Sequence, residues 1–184
     1  MTTSDKGYTL IKYFEGKETL FSLLPELKSY RCPSGYWTLG WGTIIYPDGT
    51  PVREGDRCTV QQARRWLIYD VQEVEHEVHA LFPIVMTQGN FDSLVSFGYN
   101  AGTAEKGLGG STLRKRILAG ASPELIEAAF NMWCKGNGEH DGKDNDNDGL
   151  VDEAGEKQIK NGLVRRRKAE AWLYRYDEMN LFLD

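Results

Sequence analysis

The sequence predicts a mainly α-helical α+β protein of 184 residues with a small β-hairpin lobe near the N-terminus. Apolar residues recur at helical spacing from Thr59 onward, which is typical of amphipathic helices. The segment 36–46 combines aromatic and β-branched residues and is followed by Pro47-Asp48-Gly49, a turn sequence. This length predicts a single domain over residues 1–184, large enough to fold without disulfides or metals.

The N-terminal part is predicted to hold one helix and the β lobe. Ser4-Asp5 is a typical helix cap, and the apolar residues after it predict a short helix that ends near Gly16. Residues 17–30 have a mixed apolar pattern, which predicts a loop and a further helical turn. The strands of the hairpin lobe are predicted at 36–39 and 43–46, with glycines between them.

Five more helices are predicted in the rest of the chain. Thr59 and Gln62 form a capping-box pattern, and Ser122-Pro123 combines a cap with a proline at the first helical position. The predicted helices are 59–78, 91–98, one that starts at Ser111-Thr112-Leu113, 122–133 and 163–173.

The net charge of −5 is unevenly distributed. Residues 139–157 hold eight acidic residues and two lysines, whereas the other 165 residues hold 20 basic and 19 acidic ones. The composition of 40% hydrophobic and 27% charged residues argues against a disordered chain, and the acidic balance argues mildly against nucleic acid as a partner. No apolar run is long enough to span a membrane, and because residues 1–7 lack the apolar core of a signal peptide, we expect none.

The acidic segment 139–157 is predicted to be an inserted calcium-binding loop. It contains the D-x-D-x-D-G pattern, in which alternating oxygen ligands surround a cation. The predicted ligands are Asp144, Asp146, Asp148, the carbonyl of Leu150, Asp152 and Glu153. Gly155 stands where an EF-hand has its twelfth-position glutamate, so the run better resembles the shorter calcium loops of secreted bacterial proteins. The alternative is a solvated acidic loop; we expect Ca²⁺ to be structural, with no cofactor for catalysis.

Several segments resemble the phage-type lysozymes, the endolysin muramidases of glycoside hydrolase family 24. Residues 30–42, YRCPSGYWTLGWG, are similar to the family signature Y-x-C/D-P-x-G-x-x-T-I-G-Y-G. Residues 59–71, 91–102 and 162–174, and Ser111-Thr112-Leu113, match further family motifs in the family's order. The resemblance implies a lysozyme-like fold with a cleft between a small lobe and a larger helical lobe.

The resemblance also implies three catalytic residues. Glycoside hydrolysis requires a carboxylic acid that protonates the leaving oxygen and a group that handles a water molecule on the other face. Glu15, in an F-E-G motif, takes the position of the acid, and Cys32 and Thr38 take the other two positions. A thiol with a reference pKa near ~8.5 is a poor base at neutral pH, so we expect Cys32 and Thr38 to position the water.

Two departures from the family pattern leave alternatives open. The family's glutamate lies nine residues before the Asp/Cys position, whereas Glu15 lies seventeen before Cys32. Either eight residues are inserted after Gly16, or Glu18 or Glu26 is the acid. In addition, Thr43 stands where the family often has histidine.

The same resemblance predicts substrate contacts. Trp41 and Tyr99 are expected to stack on sugar rings, with core packing as the alternative. Asn100, Ser111 and Thr112 are expected to hydrogen-bond acetamido and hydroxyl groups, with helix capping as the competing role for Asn100 and Thr112.

The function implied by the resemblance is hydrolysis of the β-1,4 bonds between N-acetylmuramic acid and N-acetylglucosamine in bacterial peptidoglycan. Two alternatives are a catalytically inactive, calcium-dependent wall-binding module and a lytic transglycosylase. We expect a bacteriolytic monomer that is made in the cytoplasm without a signal peptide. It would act on the cell wall in the periplasm after holin-type or other export, without nucleic acid or membrane insertion.

Overall fold

The computed structural model describes residues 1–15, 24–32, 35–137 and 157–182. Within these ranges it contains six helices and six short strands, which confirms the predicted mainly α class. The helices are α1 Asp5–Glu15, α2 Val60–Leu81, α3 Gln88–Ala101, α4 Thr112–Leu118, α5 Pro123–Asn131 and α6 Asn161–Tyr176. The strands are β1 Leu27–Lys28, β2 Tyr30–Arg31, β3 Trp37–Thr38, β4 Arg57–Cys58, β5 Lys135–Asn137 and β6 Lys157–Ile159.

Helices α2 to α5 begin where the sequence places capping residues. Thr59 and Gln62 form the predicted capping box at the start of α2, and Ser111 accepts a hydrogen bond from the backbone N–H of Arg114 at α4. The caps of α2, α3 and α4 each satisfy a backbone donor that the first helical turn leaves unpaired, whereas Ser122 at the start of α5 makes no side-chain capping bond. Helix α5 ends at Asn131, two residues before the predicted end at Trp133.

The small lobe differs from the predicted hairpin in its strand pairing. Strand β3 pairs antiparallel with β2, with Thr38 opposite Tyr30, instead of with residues 43–46. Residues 43–46 form only single bridges, Leu39 with Thr43 and Ile45 with Pro51. The reason is that residues 44–46 bond to the chain that follows them: the backbone N–H of Val52 donates to Ile44 at 2.9 Å, and that of Tyr46 donates to Thr50 at 2.8 Å.

A second difference concerns the segment predicted as a loop with a helical turn. Its described part, 24–30, contains strand β1 and the start of β2. Strand β1 pairs antiparallel with β4, which places Leu27 opposite Cys58, and both side chains are buried. No pattern within either two-residue strand indicates this partner, because it lies 31 positions away in the chain.

Helix α3 is the centre of the helical lobe. Every residue from Phe91 to Gly98 is buried, and the helix packs against α1, α2 and α6. The residues before α1 are fixed to this lobe: the backbone N–H of Thr3 donates to Glu75 at 2.6 Å, and that of Ser4 donates to Asp92 at 2.9 Å. These bonds set the position of α1 and therefore of Glu15 at its C-terminal end.

The acidic segment is bounded by a pair of strands. Strands β5 and β6 pair antiparallel, and Asn137 lies opposite Lys157. The inserted loop 139–157 lies outside the described residues except for Lys157. Among the helices that the structure describes, none has the length and apolar character needed to cross a membrane.

Candidate active site

A cleft of about 880 Å³ lies between the small lobe and the helical lobe. Helix α1 contributes its last residues, β2 and β3 form one wall, and α2 and α3 contribute residues from the helical lobe. The lining includes Glu15, Cys32, Thr38, Tyr99 and Asn100, so five of the eight predicted catalytic and substrate-binding residues meet in one cleft.

Glu15 is the carboxylate at the end of α1. Its side chain is 24% exposed, and Oε1 lies 2.9 Å from Nη1 of Arg166. Arg166 is itself buried on α6 and donates from Nη2 to the backbone carbonyl of Ser96 at 3.2 Å. A guanidinium with several fixed partners holds one rotamer, so Arg166 fixes the position of the Glu15 carboxylate.

Arg166 belongs to a buried ionic network centred on Glu170. Both Glu170 and Arg167 are 0% exposed, and Arg167 Nε lies 2.9 Å from Glu170 Oε2. Arg166 Nε lies 3.1 Å from Glu170 Oε1, which also accepts a hydrogen bond from Ser96. Burial lowers the pKa of Arg167 to about 10, an effect that the charge of Glu170 opposes. The network extends to the cleft, since Arg167 donates to Asn100 Oδ1 at 3.0 Å.

Cys32 and Thr38 lie at the two ends of a turn in the small lobe. The backbone carbonyl of Tyr36 accepts a hydrogen bond from the N–H of Cys32 at 3.0 Å and another from the hydroxyl of Thr38 at 3.2 Å. Because the hydroxyl hydrogen of Thr38 is directed to this carbonyl, the lone pairs of its oxygen remain available to a water molecule in the cleft.

The tyrosines of the cleft stand close to its carboxylates. Burial and the nearby charge of Glu15 raise the pKa of Tyr30 to about 12. The pKa of Tyr99 is also raised, by burial first and then by the charges of Asp70 and Glu15. Both side chains therefore remain neutral phenols at neutral pH, and the hydroxyl of Tyr99 donates to the backbone carbonyl of Trp41 at 2.9 Å.

Three residues that were predicted to contact the substrate do not line the cleft: Trp41, Ser111 and Thr112. Trp41 is 1% exposed and belongs to the hydrophobic core, so its ring presents no face to a sugar and the alternative of core packing applies. Gly40 and Gly42 on either side allow the chain to turn this ring inward. Ser111 is the buried N-cap of α4, and neither Ser111 nor Thr112 lines the cleft.

Of the alternative acids, Glu26 does not line the cleft and pairs with Arg57 at the protein surface. Glu18 lies outside the described residues. The six predicted calcium ligands, Asp144, Asp146, Asp148, Leu150, Asp152 and Glu153, also lie outside them.

The sequence analysis missed two features of the cleft. Asp70 of α2 lines it and accepts a hydrogen bond from the hydroxyl of Thr43 at 2.7 Å. A signal was present, because Asp70 lies three residues after the buried Leu67 and therefore on the buried stripe of α2. The second feature is an exposed apolar rim formed by Tyr36, Ile44 and Ile45, which the predicted hairpin did not distinguish from core-facing positions.

Known proteins that are similar to this chain in sequence or structure include phage endolysins and a muramidase domain. Residues 24–170 match the family model described as Phage lysozyme. The endolysin of Bacillus phage B103 is 31% identical over 95% of the chain, which spans only about half of that relative's length (54%). Among solved structures, the endolysin from Escherichia coli O157:H7 phage FAHEc1 is similar with a TM-score of 0.76 and 33% identity, covering 98% of this chain and 97% of that one. The muramidase domain of SpmX from Asticaccaulis excentricus is similar with a TM-score of 0.70 and 27% identity, covering 95% and 97%. The chain therefore belongs to the phage lysozyme family.

Proposed function

We propose that the protein is a muramidase that hydrolyses the β-1,4 bond between N-acetylmuramic acid and N-acetylglucosamine in bacterial peptidoglycan. The observation that carries the proposal is the convergence of Glu15, Cys32 and Thr38 on one cleft from two different lobes. Similarity to phage endolysins and to a muramidase domain supports this choice of substrate.

Glu15 is the proposed general acid. In its protonated form the carboxyl group donates its proton to the glycosidic oxygen as the bond from that oxygen to the anomeric carbon breaks. Arg166 binds Oε1 of Glu15, and within the described residues Oε2 has no hydrogen-bond partner. We assign the donated proton to this second oxygen, which the guanidinium does not occupy.

Water is the proposed nucleophile, and it attacks the anomeric carbon from the opposite face in a single displacement that inverts the configuration. Thr38 accepts a hydrogen bond from this water, and the side chain of Cys32 limits where it can lie. Fixing a nucleophile near its target removes much of the entropic cost of the reaction.

Two residues of the helical lobe are proposed to hold the sugar. Asn100 is exposed, and because Arg167 binds its Oδ1, its amide nitrogen is oriented to donate to an acetamido carbonyl. The partly buried ring of Tyr99 forms an apolar wall of the same cleft. We further propose that the protein acts as a monomer on the cell wall in the periplasm, after holin-type or other export.

The experiment is Glu15→Gln, which keeps the shape of the side chain but removes its acidic proton. We expect at least a 10³-fold loss of lytic rate in a turbidity assay on permeabilised bacteria, while the protein still folds, since the glutamine oxygen can still accept from Arg166. Glu26→Gln is the matched control and should lyse at the wild-type rate, since Glu26 is a surface carboxylate outside the cleft.

Three outcomes would contradict the proposal. A fully lytic Glu15→Gln protein would refute the assignment of the acid. A wild-type protein that binds walls without lysing them would be a calcium-dependent binding module instead. Anhydro-sugar ends in the products, seen by mass spectrometry, would identify a lytic transglycosylase.

We also propose that the segment 139–157 binds a structural Ca²⁺ through the six predicted ligands. Strands β5 and β6 hold the two ends of the segment next to each other, which suits a closed loop around one ion. Helix α6, which carries Arg166, begins two residues after β6. A cation that orders the loop would therefore stabilise the helix that fixes Glu15.

Thermal unfolding tests the calcium proposal. Calcium should raise the melting temperature and EDTA should lower it, because an ion that binds only the folded state stabilises that state. The double variant Asp144→Asn/Asp146→Asn should lose this response, whereas Glu105→Gln, at another exposed acidic position, should keep it. Identical melting curves with calcium and with EDTA would refute the proposal.

A further inference from the structure

A second pocket of about 430 Å³ adjoins the cleft on the side of the helical lobe. It is lined by residues 13–15 of α1, Asn100 of α3, and Lys160 with the first turns of α6, and we call it the side pocket. Phe14, Glu15 and Asn100 line both the side pocket and the cleft, so the two spaces meet at the proposed acid. Because a substrate in the cleft lies next to this opening, the side pocket is placed to bind a group that branches from the sugar chain.

The side pocket and the cleft carry opposite charges. Among the described residues, the charged groups that line the cleft are Glu15 and Asp70, both acidic. Those that line the side pocket are Glu15 and three bases, Lys160, Arg165 and Arg166. The hydroxyl and acetamido groups of a glycan are neutral and need no cation, so this excess of positive charge indicates a ligand with an anionic group.

Two of these three bases have no acidic partner in the described part of the chain. Arg166 is buried and pairs with Glu15 and Glu170. Within the same ranges, no carboxylate forms an ion pair with Lys160 or Arg165. Arg165 is exposed and Lys160 is half-buried, so the charges of both side chains remain available to a ligand.

The local structure restrains Lys160 and adds to the positive charge of the side pocket. The backbone N–H of Lys160 donates to the carbonyl of Cys134 at 2.9 Å. Its side chain packs on Gly136 so closely that a Cβ there would lie 2.9 Å from the lysine Cγ. Lys160 is also the N-cap of α6, and no side chain caps the first turn of this helix. The partial positive charge of a helix N-terminus favours anions, and a restrained side chain loses little freedom when it binds one.

We propose that the side pocket binds the acidic peptide of peptidoglycan, with Lys160 and Arg165 as specificity-determining residues that pair with its carboxylates. This inference rests on the proposed muramidase function, in which the anomeric carbon that reacts belongs to N-acetylmuramic acid. The lactyl ether of that sugar carries the peptide, so the peptide branches from the chain beside Glu15, where the side pocket opens. Arg165 can bind a carboxylate through two parallel N–H groups, and Lys160 can bind another as a point charge.

The test measures kcat and KM on three soluble glycan fragments. One fragment carries its peptides, one has lost them to an amidase, and one has its peptide carboxylates converted to amides. For the wild type we expect a KM for the first fragment about tenfold lower than for the other two, because two exposed ion pairs contribute roughly threefold each. Arg165→Gln and Lys160→Gln should each raise that KM about threefold, and the double variant about tenfold. The value of kcat should change less than about twofold, because both residues bind a part of the substrate that does not react.

Two further variants separate recognition of the peptide from an effect on the fold. Arg165 is exposed on α6, so its substitution should change stability little, and Arg165→Glu should raise KM for the peptide-bearing fragment further than Arg165→Gln does. Lys168→Gln is the matched control, since Lys168 is an exposed base of the same helix that lines neither the cleft nor the side pocket. It should keep the wild-type KM for all three fragments.

Three results would overturn the inference. Equal wild-type KM values for the peptide-bearing and peptide-free fragments would show that the peptide is not bound. Equal values for the carboxylate and amide forms would show that its charge is not recognised. A double variant that keeps the wild-type preference would place the peptide on another surface. A wild-type protein that cleaves none of the three fragments would instead refute the proposed function itself.

Discussion

The two lobes hold their charged residues in opposite ways. In the helical lobe, Glu170 is fully buried between Arg166 and Arg167, and this network reaches Glu15 in the cleft. In the small lobe, Glu26 and Arg57 form an ion pair in which each side chain is about half exposed. Burial makes the first arrangement rigid and costly to break, whereas solvent weakens the second.

The difference shows that the two lobes contribute different kinds of group to the cleft. The helical lobe fixes the proposed acid, Glu15, through Arg166, a contact between residues 151 positions apart in sequence. The small lobe contributes neutral groups, the Thr38 hydroxyl and the Cys32 side chain, which the Tyr36 carbonyl sets in place. Three predictions test this division.

The largest effect is expected for Glu170→Ala. It leaves two buried guanidinium groups without their carboxylate, which costs about 3–5 kcal/mol of the free energy of unfolding. It also removes one of the two carboxylates that hold Arg166, so Glu15 is positioned less firmly and lytic activity should fall in the protein that remains folded. Urea unfolding at neutral pH measures the first effect. A loss below ~1 kcal/mol would show that the network does not stabilise the helical lobe.

A pair of aromatic substitutions gives the next effect. Trp41→Ala removes a buried ring that extends from the small lobe into the core and should cost about 3 kcal/mol of stability. Tyr36→Ala, at a residue that is 61% exposed on the rim of the cleft, should leave stability within about 0.5 kcal/mol and raise KM. Thermal unfolding and kinetics on the same two proteins check both expectations. If Trp41→Ala were stable and Tyr36→Ala unstable, the assignment of core and rim would be wrong.

The helices of the fold could be predicted from the sequence, whereas the strand pairs of the small lobe could not. The helices were predicted because each carries a local signal, such as the capping box of Thr59 and Gln62. The strand pairs were not, since Leu27 and Cys58 meet across 31 positions and each strand has only two residues. Short strands have no periodicity of their own, so tertiary packing decides their partners.

Some residues of the candidate site could likewise be predicted from the sequence, and others could not. Glu15, Cys32 and Thr38 stand in motifs that resemble a known family, so they could be named before the structure. Asp70 carries a local signal only when the buried stripe of α2 is examined, because a carboxylate three residues after Leu67 lies on the side that faces the other lobe. For Trp41 the sequence left sugar stacking and core packing open, because it does not show on which side of the chain a ring between two glycines lies, and the structure buries the ring in the core.

The smallest effect is expected for Glu26→Gln, which breaks the surface ion pair with Arg57. Exposed pairs contribute less than about 1 kcal/mol, because water screens the charges and two long side chains lose freedom when they pair. The melting temperature should therefore fall by only a few degrees at low salt, and 1 M salt should remove the difference. Lytic activity should stay at the wild-type level, because Glu26 lies outside the cleft. A loss of lysis in Glu26→Gln with Glu15→Gln still active would reverse the assignment of the acid, and with it the conclusion that the helical lobe supplies the charged chemistry.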